Sequence, residues 1–166
     1  MHTILVSDKL SEKGLLILKE CKEFSVDVKT GLKPEELKSI IKKYDALIVR
    51  SSTKVTKDII DASSLKVIGR AGVGLDNVDL QAATNKGIIV MNSPSGNTLS
   101  TAEHAMSLML GLSRNIAPAD ASMKSGQWNR SKFEGSELYN KTLGIIGLGR
   151  IGQAVAKRAV SFGMKI

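Results

Sequence analysis

Short apolar runs alternate with amphipathic stretches along the first half of the chain. Thr3-Ile4-Leu5-Val6, Phe24-Ser25-Val26-Asp27-Val28, Ala46-Leu47-Ile48-Val49, Lys66-Val67-Ile68 and Ile88-Ile89-Val90-Met91 are short and mostly β-branched, the pattern of strands buried in a parallel sheet. Between them, Ser11 to Cys21, Pro34 to Lys43, Thr56 to Ala62 and Asp79 to Lys86 carry helical periodicity. Pro34 followed by Glu35 and Glu36 suits a first helical turn, because proline presets φ and acids face the positive helix end. Gly87 reads as a helix stop. Strand–helix–strand repetition predicts βαβ units, hence an α/β fold with a parallel sheet.

The style changes after Met91. Asn92-Ser93-Pro94-Ser95-Gly96-Asn97 is loop chemistry. A long helix is predicted from about Thr98 to Ser113, with Leu99, Ala102, Met106, Met109 and Leu110 on its apolar side. Pro118 and Gly126 bracket another helix, and Leu143-Gly144-Ile145-Ile146 reads as a new strand. The boundary between two domains is placed at the loop before Thr98. Phe162-Gly163-Met164-Lys165-Ile166 reads as a helix end running into a strand, which makes the chain look like a fragment.

Composition narrows the function classes. Of 166 residues 42% are hydrophobic, enough for a core and too many for a disordered tail. No apolar run approaches the ~20 residues that cross a bilayer, and the N-terminus has no secretory pattern. A single cysteine, Cys21, excludes an internal disulfide and a thiolate metal cluster. The expectation is a cytoplasmic protein with no membrane partner. The net charge of +8 fits nucleic acid as well as small anions. The basic residues are scattered, however, and three Phe, two Tyr and one Trp are too few for a base-stacking platform. No nucleic-acid partner is expected.

Two glycine-rich segments carry the chemistry. Gly147-Leu148-Gly149-Arg150-Ile151-Gly152 follows a predicted strand and opens a predicted helix, the context that makes GxGxxG a dinucleotide fingerprint. Gly147 allows the tight turn, Gly149 admits the pyrophosphate, and Gly152 permits close helix packing. The helix start offers free amides to phosphate, and Arg150 adds charge. The acid expected roughly 20 residues further on falls past Ile166, so NAD and NADP are not distinguished by it. Gly69-Arg70-Ala71-Gly72-Val73-Gly74-Leu75-Asp76-Asn77-Val78-Asp79 also lies between strand and helix. It reads either as an amide nest for a carboxylate around Ala71, Gly72 and Val73 or as a plain turn with Asp76 capping the next helix. Arg50-Ser51-Ser52 follows a strand too, so Arg50 is either a second cation at that crevice or a surface arginine. Ser100 and Thr101 read as caps of the long helix or as groups where the domains meet. Glu103 and His104 are adjacent in a helix and point about 100° apart, so they do not face one substrate. No residue set has metal-ligand spacing, and no nucleophile elbow or Walker lysine is present.

Taken together, these segments resemble the D-2-hydroxyacid dehydrogenase family. The likeness covers essentially the whole chain. It rests on Leu47-Ile48-Val49-Arg50-Ser51, the Gly69–Asp79 segment, Asn92–Asn97 running into Ala102-Glu103, Gly126-Gln127-Trp128, and Gly144–Gly152. The resemblance implies a flavodoxin-like parallel-sheet substrate domain at residues 1–97, without its C-terminal return segment, followed at 98–166 by the first part of a Rossmann NAD-binding domain. It implies a 2-oxo acid carboxylate on the amides of Ala71, Gly72, Val73 and Gly74. Arg50, Ser51 and Arg70 are then substrate-binding, with Asn97 lining the site and Arg130 reaching the substrate of a partner subunit. Val73, Thr101, Arg150 and Ile151 contact NAD, with Gly147, Gly149 and Gly152 forming its turn. The family's catalytic Arg, Glu and His fall beyond residue 166, so no catalytic residue is expected here. The implied activity is NAD-dependent oxidation of a small phosphorylated 2-hydroxy acid, 3-phosphoglycerate on the path to serine, by a homo-oligomer joined through the NAD-binding domain. The alternatives are sister enzymes acting on glyoxylate, hydroxypyruvate or lactate, and a non-catalytic NAD-sensing corepressor of the same fold.

Overall fold

The structure, a computed structural model, describes all 166 residues. They form two compact units, Met1–Gly96 and Asn97–Ile166.

The first unit is a five-stranded parallel sheet with helical crossovers. Its strands are β1 (His2–Val6), β2 (Phe24–Val28), β3 (Ala46–Val49), β4 (Val67–Arg70) and β5 (Ile89–Asn92), in the order β2-β1-β3-β4-β5. That is the flavodoxin-like order, whose direction of winding reverses between β1 and β3. The crossovers are α1 (Glu12–Glu20), α2 (Pro34–Ile40) with a 3-10 turn at Ile41–Lys43, α3 (Lys57–Ala62) and α4 (Leu80–Asn85). Strand residues alternate between faces. Leu5, Leu47, Val49 and Ile68 meet Leu37, Ile41, Ile59, Ile60 and Ala83 in one buried core. Each large aliphatic there contributes about 1.5–3 kcal/mol by leaving water. On the other face Ile4, Ala46, Ile48, Val67 and Met91 line a concavity of about 340 Å³.

The helix boundaries follow local chemistry. Ser11 Oγ accepts from the Gly14 amide at 3.2 Å, and the Glu36 carboxylate accepts from the Lys33 amide at 2.8 Å, each satisfying an amide that a helix start leaves without an intrahelical partner. Gly87 ends its segment at φ +72°, a conformation open to glycine. Lys86 Nζ donates to the carbonyls of Ile60, Asp61 and Ser63 at 2.6–2.8 Å, placing a cation on the free carbonyls at the end of α3. Asp76 does not cap the next helix. Val78 first pairs with Val55 and its amide turns back to the Leu75 carbonyl at 3.0 Å. The helix therefore starts later, and Asp79 caps it through the Ala82 amide at 2.9 Å.

The second unit holds α5 (Thr98–Ser113), α6 (Ile116–Lys124), a 3-10 turn at Arg130–Phe133 and α7 (Arg150–Ser161). Met106, Ala159 and Met164 form its core, with Met109, Leu138, Leu143 and Val155 packed against them. Two expectations fail here. Leu99 is 61% exposed rather than on the packed side of α5, because packing against Ala159 and Val155 of α7 falls on Met106 further along. Leu143–Ile146 is not a strand. A strand exists only through its pairing, and the backbone beside this segment supplies one parallel bridge, Thr142 to Lys165. Ile146 is consequently fully exposed.

At the amino-terminal edge of the first sheet, one carboxylate ties three strands. Asp45 accepts from the Thr3 amide at 2.9 Å, from Thr3 Oγ1 at 3.1 Å and from Lys66 Nζ at 2.9 Å. Lys66 and the Thr3 amide hold its carboxyl well below the usual carboxylate range. A depressed native pKa means that the contribution is present above the unfolded value near ~4 and is lost as pH falls below it. In thermal melts, Asp45→Asn lowers Tm at neutral pH, and the gap to wild type closes below about pH 4. A gap that stays constant through acid contradicts this role.

Candidate functional site

Open α/β sheets bind ligands outside the carboxyl ends of their strands, at the point where the winding reverses. In the first unit that point is flanked by Ser7 and Asp8 after β1 and by Arg50 to Thr53 after β3. The loop from Ala71 to Asp76 follows β4 alongside them.

The β4 loop has several of its carbonyls engaged and some of its amides free. The Gly72 carbonyl accepts from the Ser93 amide at 2.9 Å, the Val73 carbonyl from Asn92 Nδ2 at 2.6 Å, and the Gly74 carbonyl from Arg70 Nη1. The Ala71 amide continues the strand ladder to the Val49 carbonyl at 2.8 Å, and the Gly72 amide turns back on the Arg70 carbonyl at 2.9 Å. The amides of Val73 and Gly74 meet no acceptor in the chain. A loop left with surplus N–H groups is a site for an anion. Of the four amides expected as a nest, Val73 and Gly74 are the ones with a free hydrogen. A Cβ on Gly74 would lie 2.8 Å from both Arg70 Nη1 and Asp76 Oδ1, the ends of two flexible side chains that would have to shift.

The two arginines differ. The Arg70 side chain is only 10% exposed and braces the loop through Gly74, Asp76 at 3.5 Å and the Arg50 carbonyl at 3.5 Å. Arg50 is exposed, and its guanidinium touches only the Lys9 carbonyl at 3.4 Å. It is the available cation of the pair. Ser51 lies next to it, also exposed. Asp8, Thr53, Asn77 and Asn92 shape these loops and were not singled out from the sequence. Asp8 carried one usable signal, a polar pair directly after an apolar strand.

In the second unit, Gly147 sits at φ +93°, a value that favours glycine. Gly152 packs so closely that a Cβ would lie 2.2 Å from the Gly147 carbonyl oxygen, whereas a Cβ on Gly149 would meet nothing within 4 Å. The Leu148 carbonyl accepts from Gln153 Nε2 at 3.0 Å and the Gly149 carbonyl from the Gln153 amide at 2.9 Å. The amides of Arg150, Ile151 and Gly152 have no acceptor in the chain, and Arg150 is exposed. This bend has the shape and the donor surplus that a dinucleotide pyrophosphate requires.

Other expected positions are placed less tellingly. Asn97 is the exposed N-cap of α5 and makes no side-chain capping bond. Ser100 and Thr101 do not cap it, because the helix already starts at Thr98. The Thr101 amide and Ser100 Oγ instead donate to the Asn97 carbonyl at 2.9 and 3.1 Å. Glu103 pairs with Arg158 of α7 at 3.2 Å, and His104 is exposed. Arg130 is exposed beside Trp128, Phe133 and Ser122 at a concavity of about 180 Å³. No group of three His, Cys, Asp or Glu residues has metal-binding geometry, and no helix is long and apolar enough to cross a membrane.

Comparison with known proteins agrees with this architecture. The family model described as D-isomer specific 2-hydroxyacid dehydrogenase, catalytic domain, matches residues 4–162. The chain is 59% identical to D-3-phosphoglycerate dehydrogenase of Methanocaldococcus jannaschii over 100% of its own length and 32% of the relative's. It is 50% identical to the Bacillus subtilis protein of the same name, over 100% and 31%. It thus spans about a third of the length of these relatives. Among solved structures, the TT0316 protein of Thermus thermophilus superposes with TM-score 0.88 at 37% identity, covering 98% of this chain and 54% of that one. A D-lactate dehydrogenase from Aquifex aeolicus complexed with NAD and lactic acid gives 0.85 at 28% identity, covering 98% and 49%. The chain belongs to the D-isomer specific 2-hydroxyacid dehydrogenase family.

Proposed function

We propose that these residues supply the substrate-binding and NAD-binding portions of a D-3-phosphoglycerate dehydrogenase, which oxidises 3-phosphoglycerate to 3-phosphohydroxypyruvate on the path to serine. The observation that carries the reading is the same in both units: loops in which several carbonyls are satisfied internally while consecutive amides remain free, at Val73-Gly74 and at Arg150-Ile151-Gly152. In this reading residues 1–97 hold the substrate. The Val73 and Gly74 amides take its carboxylate, and Arg50, with Ser51 beside it, takes its phosphate as a charge-assisted contact. Arg70 keeps the loop in shape rather than neutralising the substrate directly. Residues 98–166 receive the dinucleotide, with Gly149 leaving room and the start of α7 facing the pyrophosphate. When bound, NAD supplies the acceptor for hydride from substrate C2. Neither His2 nor His104 lies on these loops, and the family resemblance assigns the proton from the substrate hydroxyl to a group outside these 166 residues. Association with a second copy through residues 98–166 brings Arg130 to the partner's substrate.

The name shared by the relatives supports the phosphorylated substrate over lactate or glyoxylate, and so does an exposed cation at the winding reversal. Three measurements check the proposal. Calorimetric titration gives weaker binding of 3-phosphoglycerate to Arg50→Gln by roughly 10- to 100-fold, the loss of one hydrogen bond to a charged group, while D-lactate binding is unaltered. Equal losses for both acids contradict a phosphate contact. Gly149→Ala keeps Tm within about 2 °C, since its methyl fits without clash, yet weakens NADH binding by ~10-fold or more in a fluorescence titration. Unchanged affinity removes the pyrophosphate from this bend. Purified chain mixed with 3-phosphoglycerate and NAD produces no NADH, and measurable turnover places the proton acceptor within these residues after all.

A further inference from the structure

Asp8 is a buried acid, 5% exposed, in the part of the sheet where an anionic substrate is proposed to bind. An acid there repels the substrate or neutralises its cation unless its charge is directed elsewhere. It is directed at the main chain. Asp8 Oδ2 accepts from the Arg50 amide at 2.6 Å and the Thr53 amide at 3.1 Å, and Oδ1 accepts from Thr53 Oγ1 at 2.9 Å. Ser7 Oγ in turn donates to Thr53 Oγ1 at 3.0 Å. The opposite ends of the same two residues are held by Asn77, whose Nδ2 donates to the carbonyls of Arg50 and Thr53, both at 2.7 Å. Asn77 keeps this posture although its own Oδ1 is buried without a donor.

We infer that Asp8 and Asn77 are positioning residues that clamp the loop from Arg50 to Thr53 and so fix where the Arg50 guanidinium is presented to the substrate anion. The inference rests on the reading of Arg50 as an anion contact. The amide and carbonyl groups of residues 50 and 53 are fixed, while Ser51 and Ser52 between them stay exposed. A loop without helix or strand bonds otherwise samples many conformers, and ordering it on binding weakens affinity. The residue types suit their sides. A carboxylate accepts from two amides and a hydroxyl together, and an amide donates to two carbonyls. Aspartate at 77 would face those carbonyls with like partial charge.

Hydrogen exchange followed by NMR, together with 3-phosphoglycerate titration of the 166-residue chain, tests the clamp. In wild type the Arg50 and Thr53 amides exchange slowly. In Asp8→Ala both speed up by about 100-fold while the β4 amides do not, and affinity for 3-phosphoglycerate falls by ~10-fold. Asp8→Asn keeps an acceptor oxygen and restores both readouts to within about 3-fold. NADH affinity is unchanged in each variant, which a general loss of fold would not give. Asn77→Asp leaves Asp8 untouched and is expected to lower 3-phosphoglycerate affinity similarly, so the test survives if Asp8→Ala does not fold. Protection persisting at Arg50 and Thr53 in Asp8→Ala, or affinity unchanged in both Asp8→Ala and Asn77→Asp, overturns the clamp. Unchanged affinity in Arg50→Gln overturns the anion reading itself, and the inference with it, through a separate variant.

Discussion

The structure turns on a mismatch between hydrogen-bond donors and acceptors at the carboxyl edge of its strands and at the start of α7. Buried backbone polar groups are nearly always paired. Here several carbonyls of the glycine-rich bends are paired by side chains and neighbouring amides, with Asn92, Arg70 and Gln153 each taking one. The amides beside them are left over. The order of the parallel sheet sets one of these loops beside the Arg50 loop.

Glycine placement makes that arrangement possible. Gly74 yields space to the Arg70 guanidinium, and Gly152 yields it to the Gly147 carbonyl. Gly149 differs, because nothing within the chain occupies the space beside it. Gly152 meets backbone and is needed for its bend to form. Asp8 and Asn77 extend the same logic to the Arg50 loop, where polar side chains substitute for regular secondary structure.

Much of the first unit was legible in the sequence because its strands are continuous β-branched runs and its helices carry their own stop and start chemistry, as at Ser11, Pro34 and Gly87. Reading failed where an outcome depended on distant partners. Leu143–Ile146 has the composition of a strand, but pairing supplies one bridge. Asp76 has the side chain of a cap, but the Val55–Val78 bridge delays the helix and Arg70 claims the carboxylate. Ser100 and Thr101 have the side chains of caps, yet the helix begins before them. At the site, GxGxxG and Arg-Ala-Gly-Val-Gly were visible as motifs. Which carbonyls are tied is not visible, since this depends on Asn92 and Ser93, some 20 residues downstream of the loop they tie. Asp8 and Asn77 carry little local signal, because a single polar residue near a strand is common and their partners are 42–45 and 24–27 residues away.

The central claim, that free amides in two separate bends receive two different anions, is tested most directly by amide chemical-shift mapping. Addition of NADH is predicted to shift Arg150, Ile151 and Gly152 while leaving Gly74 in place, and addition of 3-phosphoglycerate to shift Val73 and Gly74 while leaving the α7 amides in place. Shifts spread over the surface lysines, with these five amides unmoved by either ligand, would contradict the account.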